Sequence, residues 1–192
     1  SLVKWDRKLA GDDYKKGYVL VKRSKASISC MLIDKRNAVW VGTYGDGLQK
    51  FNAETNALEW HLLPKGGDER SVLNDNSISD LVQYNDSTVI GAGTVISVIN
   101  TKNNTVRTFS RVDGLPGTVV SAQKDKTGIL WLGLIEGGIC RFNLARKVFT
   151  IYKKEDGMLD DYCNMAASTT LSDGRMVFYT SSCLVAFRPE EV

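Results

Sequence analysis

The sequence is poor in the residues that usually announce chemistry. It has one histidine, three prolines and four cysteines in 192 residues. A lone His61 cannot build a zinc site or a nucleophile–base pair by itself, and its place in an outer strand beside Trp60 reads as a surface position. Cys30, Cys140, Cys163 and Cys183 are widely separated and form no C-x-x-C. That excludes a zinc ribbon, a thioredoxin-like motif and a disulfide scaffold. Cys30 and Cys140 lie in apolar runs, where a free cysteine acts as a small hydrophobe; pairing of Cys163 with Cys183 across neighbouring elements stays open. No apolar run approaches the roughly 18 residues of a membrane helix, and Ser1-Leu2-Val3-Lys4-Trp5-Asp6 lacks the zones of a signal peptide. Charge of neither sign dominates: 25 Lys and Arg face 22 Asp and Glu, a net +3 spread evenly along the chain. A nucleic-acid binder concentrates its positive charge on one face, so no nucleic acid is expected as a partner.

What is present is material for a core. Hydrophobic residues make up 43%, with four Trp, six Phe and seven Tyr, which excludes disorder. These residues recur at a fixed interval. Gly47-Leu48-Gln49-Lys50-Phe51-Asn52 returns as Gly138-Ile139-Cys140-Arg141-Phe142-Asn143, with weaker copies at Val95–Asn100, Cys183–Arg188 and Ser1–Asp6. The aliphatic position falls at Leu2, Leu48, Ile96, Ile139 and Leu184, in steps of 46, 48, 43 and 45 residues. A second signature precedes each copy. Ala38-Val39-Trp40-Val41-Gly42 matches Ile129-Leu130-Trp131-Leu132-Gly133, and Val89 and Val177 stand where the other two copies lack the tryptophan. Polar turn clusters (Asp34–Asn37, Asn85–Ser87, Asp125–Gly128, Ser172–Gly174) separate short runs rich in β-branched and aromatic residues, which reads as hairpins.

Four short strands per unit of about 45 residues are the mark of a β-propeller, each unit forming one four-stranded antiparallel blade. No stretch carries helical periodicity over 11 or more residues. The fold is therefore read as all-β: a propeller fragment of about four blades with 17 strands. The expected boundaries are a half blade at 1–27, blades at 28–76, 77–118 and 119–163, and a terminal blade at 164–192. Trp40 and Trp131 should pack between adjacent blades, each ring worth about 2 to 3 kcal/mol by burial. Gly42, Gly91 and Gly133 are expected to let the chain turn sharply out of that strand.

These motifs resemble the two-component regulator propeller repeat, whose common form is D-x-x-G-x-L-W-I-G-T-x-x-G-G-L. Gly128–Gly133 with Glu136-Gly137-Gly138-Ile139, and Trp40 through Leu48, are similar to it. Asp113-Gly114-Leu115-Pro116 and Asp156-Gly157-Met158 resemble the D-G-L linker between repeats, and Ala186–Val192 resembles the family's terminal repeat. The resemblance implies the extracytoplasmic sensor half of a hybrid two-component system, periplasmic, detecting a glycan or oligosaccharide and signalling to a downstream histidine kinase. It also implies a parent propeller of about seven blades. A start in mid-blade and an end near a domain boundary then suggest a portion of a larger sensor, one that self-associates or pairs with the missing blades.

Nothing in the sequence supports catalysis, so no enzyme activity, cofactor or metal is expected. Gly42, Gly45 and Gly47 lie between strands rather than before a helix, which removes the phosphate-loop reading. Asp12-Asp13 and Asp160-Asp161 could approach a hard cation, but no loop offers the six to eight oxygens of a calcium site. Binding has a natural location instead. Because chain direction alternates with each strand, the inter-blade linkers and the loops joining second to third strands emerge on one face. That face carries Tyr44, Asp46, Arg70, Asn74, Asn76, Glu136, Asp161 and Tyr162, which combine planar aromatics with amide and carboxylate acceptors suited to a carbohydrate. Arg70 would serve an acidic sugar. A protein-interaction propeller without a small-molecule ligand is the rival reading, and a propeller-based glycan lyase or hydrolase the third.

Overall fold

The computed structural model describes residues 1–63 and 77–192. Among them, 17 strands form five antiparallel sheets, each a simple meander. The ribbon of β1 (Leu2–Trp5) and β2 (Tyr18–Lys22) comes first. Three four-stranded sheets follow. The first holds β3 (Ser27–Ile33), β4 (Ala38–Tyr44), β5 (Leu48–Asn52) and β6 (Leu58–Leu62). The second holds β7 (Ile78–Asn85), β8 (Thr88–Gly93), β9 (Ile96–Asn100) and β10 (Thr105–Phe109). The third holds β11 (Val119–Lys124), β12 (Leu130–Leu134), β13 (Ile139–Asn143) and β14 (Val148–Tyr152). A three-stranded terminal sheet of β15 (Cys163–Thr170), β16 (Met176–Thr180) and β17 (Leu184–Phe187) closes the series. The first strands β3, β7, β11 and β15 touch in succession, so the sheets stack radially as propeller blades. Between β1 and β2 the chain departs from pure β structure in an α-helical turn, Arg7–Ala10, capped by the Asp6 carboxylate accepting from the Lys8 N–H, and a 3-10 turn, Tyr14–Gly17. Four residues are too few to leave a periodic trace.

The repeat signature has a concrete geometry. Asp34 sits in the β3–β4 turn and accepts the N–H groups of Arg36 and Ala38 on one oxygen and the Trp40 indole N–H on the other, at 2.8 Å. Asp125 does the same for Thr127, Ile129 and Trp131, the indole at 3.0 Å. One carboxylate thus closes the hairpin and satisfies the only polar atom of a ring that is otherwise sealed between blades. Burial opposes ionisation of Asp125, but the hydrogen bonds from Thr127, Trp131 and Ile129 outweigh it and hold the carboxyl below its ordinary range. The D-G-L linkers repeat another device. Asp113 accepts the Ser110 N–H and Asp156 the Lys153 N–H, each closing a 3-10 turn. Gly114 and Gly157 then take left-handed φ values of 94° and 99°, and Leu115 drops into the core.

The cores lie between sheets. Trp40 packs with Ile78, Leu81, Val89 and Ile99 of the second sheet, and Trp131 with Cys163, Met176 and Phe178 of the terminal sheet. Phe109 and Phe142 meet edge to face between the second and third. The innermost strands of the three complete blades each carry a bulge at the same place, between Ile28 and Cys30, Ile78 and Asp80, and Val119 and Ser121. At the first bulge the Ser29 hydroxyl donates to the Ile78 carbonyl of the next blade.

The glycines after the tryptophan strand do not serve as turns. Gly42 and Gly133 lie within β4 and β12 with no positive φ. A methyl group at Gly42 would stand 2.5 Å from Cys30 Sγ and 2.9 Å from Ile78, and one at Gly133 would stand 2.4 Å from Ser121 Oγ. They permit close approach of neighbouring strands and blades. The sharp turns fall later, at Gly47 and Gly138, with φ of 64° and 80°.

Candidate functional site

The linkers and the second-to-third-strand loops do gather on one face, tied by main-chain hydrogen bonds. The Ile135 N–H donates to the Thr118 carbonyl, and the Gly137 and Gly138 N–H groups donate to the Asp161 carbonyl at 3.0 and 2.8 Å. The Ser181 N–H donates to the Tyr162 carbonyl, and Tyr44 bridges to Ser77. The loops of the first, third and terminal sheets are therefore each braced by a linker.

Arg70, Asn74 and Asn76 lie outside the described residues. The other five expected residues divide by what already engages them. The Asp161 carboxylate accepts the Lys154 N–H at 2.8 Å while its carbonyl clamps the Gly137–Gly138 turn, so it braces the loop. Asp46 is held on three sides: its N–H donates to Thr43 Oγ1, one carboxylate oxygen accepts from Gln49 Nε2 at 2.8 Å, and the other lies 3.3 Å from His61 Nε2. Three side chains remain at the surface. Tyr162 is about half exposed, Glu136 is exposed, and Tyr44 is 38% exposed with its hydroxyl donating to Met165 Sδ at 3.3 Å. That last contact joins the second strand of the first complete blade to the innermost strand of the terminal sheet, three residues beyond Tyr162.

Two hydrogen-bonded groupings on this face were not foreseen from the sequence. Asp160, beside the expected Asp161, is buried and accepts the Tyr162 N–H, both the N–H and the hydroxyl of Ser182, and the hydroxyl of Ser181 at 2.5 Å. The Ser181 hydroxyl, with those of Ser182 and the Tyr162 N–H, holds its carboxyl well below the usual carboxylate range against the opposing effect of burial. The second group crosses from the ribbon to the first blade. Lys22 Nζ donates to Gln49 Oε1 at 3.1 Å, Gln49 donates to Asp46, and His61 Nε2 lies 2.9 Å from the Asp46 carbonyl oxygen. His61 is half-buried rather than a free surface residue. The clue was Gln49, a polar side chain at the position where the other complete repeats carry Ser97 and Cys140.

All four cysteines are free. Burial pushes the Cys30 and Cys140 thiols up to about 12 and Cys163 up to about 11, so these three are packing groups rather than nucleophiles.

Residues 23–45, which contain the Asp34–Trp40 hairpin and end at the Tyr44 turn, match the two component regulator propeller family. No curated protein matches the sequence significantly. Among solved structures, the chain is similar to the extracellular domain assigned to hybrid two component system BT3049 of B. thetaiotaomicron, at 19% identity and a TM-score of 0.75, covering 92% of this chain and 24% of that one. It is also similar to the extracellular domain of BT4673 from the same organism, at 19% identity and a TM-score of 0.67, covering 87% and 21%. The WD40 propeller domain of Doa1 aligns at 12% identity and a TM-score of 0.67, covering 86% and 52%. At these identities the likeness is one of fold. The chain spans about a quarter of its two B. thetaiotaomicron neighbours, and among the described residues no helix is long and apolar enough to cross a membrane.

Proposed function

We propose that this chain is part of the periplasmic sensor region of a hybrid two-component regulator and binds an oligosaccharide on its linker face, signalling to a downstream histidine kinase. The Tyr44–Met165 contact carries the reading. It joins the first complete blade to the terminal sheet, and of the residues expected on this face Tyr44, Tyr162 and Glu136 keep spare surface. Two aromatic planes and a carboxylate acceptor suit a sugar ring, while the carboxylates of Asp46, Asp160 and Asp161 are spent on bracing the loops. A face of this kind recognises rather than cleaves, since its best-placed acids are already saturated by hydrogen bonds.

Calorimetric titration against a panel of neutral and acidic oligosaccharides tests the proposal. Saturable heat with one class, lost in both Tyr44→Ala and Tyr162→Ala, is the expected result. Silence towards every sugar, with stable capture of a protein partner, would replace it by the scaffold reading. Release of reducing ends would replace it by a lyase or hydrolase.

The end blades support a further part of the proposal, that this piece pairs with additional blades or with itself. Met31, Ile33 and Val3 are exposed around an apolar groove of about 470 Å³, where the ribbon lacks the two inner strands that the complete blades have. At the other end β17 has a strand neighbour on one side alone, and Leu184 stands 67% exposed. Sedimentation should report a reversible oligomer; a strict monomer at high concentration would count against self-pairing.

A further inference from the structure

The first and third complete blades carry a cation at one position of their third strand, where the second has Val98, and the two copies differ in what meets it. Lys50 and Arg141 both follow the Gly-aliphatic step and both pair across the sheet with the blade's tryptophan, Trp40 and Trp131. In the first blade the charge is answered internally. Lys50 Nζ lies 2.9 Å from the Glu59 carboxylate on the next strand and 5.8 Å from the centre of the Trp40 ring. In the third blade the next strand reads Val148-Phe149-Thr150-Ile151-Tyr152 and holds no acid. Arg141 pairs there with Thr150. Its Nε is shut off from solvent without a hydrogen-bond partner, and among the described residues its guanidinium forms no ion pair.

Arg141 does not face solid protein. It lines a cavity of about 440 Å³ between the third and terminal sheets, on the side opposite the linkers, with Lys124, Lys126, Thr127, Asp173 and Glu190 among the other walls. The acids there are engaged elsewhere. Asp125 is consumed by its hairpin and Trp131, Asp173 by the Arg175 N–H and Nε, and Glu190 approaches Arg188 at 3.9 Å. Of the cations, Lys124 donates to the Tyr84 carbonyl, a neutral group, and Lys126 forms no ion pair among the described residues. A partly buried guanidinium with no counter-charge, beside uncommitted ammonium charge, is costly unless an anion completes it. The cavity falls in the size range of small-molecule sites.

We propose that this inter-blade cleft binds a small organic anion, its carboxylate or phosphate taken by the Arg141 guanidinium with Lys126 alongside and the body of the ligand against Thr127 and Met176. The guanidinium's planar fork suits either oxyanion. The site is separate from the linker face and does not depend on the sugar reading.

Three probes of one body decide it: D-glucuronate, glucose 6-phosphate and glucose, each titrated into the protein at low salt by calorimetry. Saturable binding of either anion with glucose silent is expected, weakened roughly tenfold or more by Arg141→Gln. The anion that binds assigns carboxylate or phosphate. Arg141→Gln variants are first compared with the parent by circular dichroism; should that substitution unfold the chain, Lys126→Gln at the exposed rim serves in its place and should weaken binding and flatten its salt dependence. Silence of both anions, equal binding of glucose, or binding unchanged in the folded variants overturns the proposal.

Discussion

The Asp–Trp pair offers the sharpest test of how the repeat is held. In Asp125→Ala, the Trp131 indole N–H loses its one acceptor inside an interface where the ring is 1% exposed, and the Ile129 N–H loses its bond as well. A hydrogen bond to a charged group is worth about 1.5 to 3 kcal/mol, and an orphaned buried donor adds a desolvation penalty of similar size, so a loss of about 3 to 4 kcal/mol is expected. Trp131→Phe removes the donor and leaves the carboxylate with its three turn donors, so its cost comes mainly from lost packing. In the double variant nothing buried is left orphaned at the ring. The two losses should therefore fail to add, with a coupling of about 1.5 to 3 kcal/mol measured by urea denaturation. The Asp34–Trp40 pair at 2.8 Å supplies an independent copy of the cycle in another blade. Additivity within about 0.5 kcal/mol in both blades would refute the idea that the carboxylate holds the ring, and would reduce the motif to a turn beside a hydrophobe.

Two further outcomes follow from the same geometry. At Gly138 a methyl group would stand 2.0 Å from the Tyr152 carbonyl oxygen, with φ at 80°, whereas at Gly157, also left-handed, it would meet nothing within 4 Å. Gly157→Ala should cost about 1 to 2 kcal/mol of backbone strain and Gly138→Ala clearly more, read as separate shifts in denaturation midpoint; equal shifts would mean the loop relaxes freely. Acid should destabilise the fold through its depressed carboxyls. Asp125 and Asp160 titrate below the ordinary value of 3.8 in the folded protein, so their contribution is complete above that value and is lost as pH falls below it. Asp80 has the opposite sign, because burial raises its carboxyl and its contribution fades as pH climbs through that raised value. A midpoint that is steady near neutrality and falls below about pH 4, with a shallower fall in Asp160→Asn, is expected; an unchanged slope in that variant would show that Ser181 and Ser182 do not hold the charge.

The blade architecture was legible because its information is local and repeated. A tryptophan six residues after a turn aspartate, then Gly-aliphatic-x-x-Phe-Asn, recurs often enough that strand number and order follow without any distant contact. What escaped was whatever depends on the neighbouring blade. Gly42 and Gly133 read as turn residues because a glycine at a strand end usually is one, and only the approach of Ile78 or Ser121 shows otherwise. His61 read as a surface residue because its partner, Asp46, lies fifteen residues away across a strand pair. On the linker face, the sequence could place residues but could not say which had spare hydrogen-bonding capacity. Asp161 and Asp46 looked equivalent to Glu136, yet two are spent on the scaffold and the third is exposed, with no ion pair among the described residues.

Repetition also indicates where to look for function. Positions that must close a blade repeat their chemistry: the turn aspartate and its tryptophan in the first and third sheets, the linker aspartate and glycine before the third and terminal ones. Where copies of one position diverge in polarity, the scaffold no longer accounts for the residue, and something local to that blade must. Gln49 stands where Ser97 and Cys140 stand in sister blades, and it ties the ribbon to Asp46 and His61. Arg141 stands where Lys50 has a built-in carboxylate, but the strand after it supplies none. The first departure is explained within the chain by its hydrogen bonds. The second is not, and a fold that pairs the corresponding cation with Glu59 two blades earlier could have done so again; its failure to do so is what points outside the polypeptide for the missing charge.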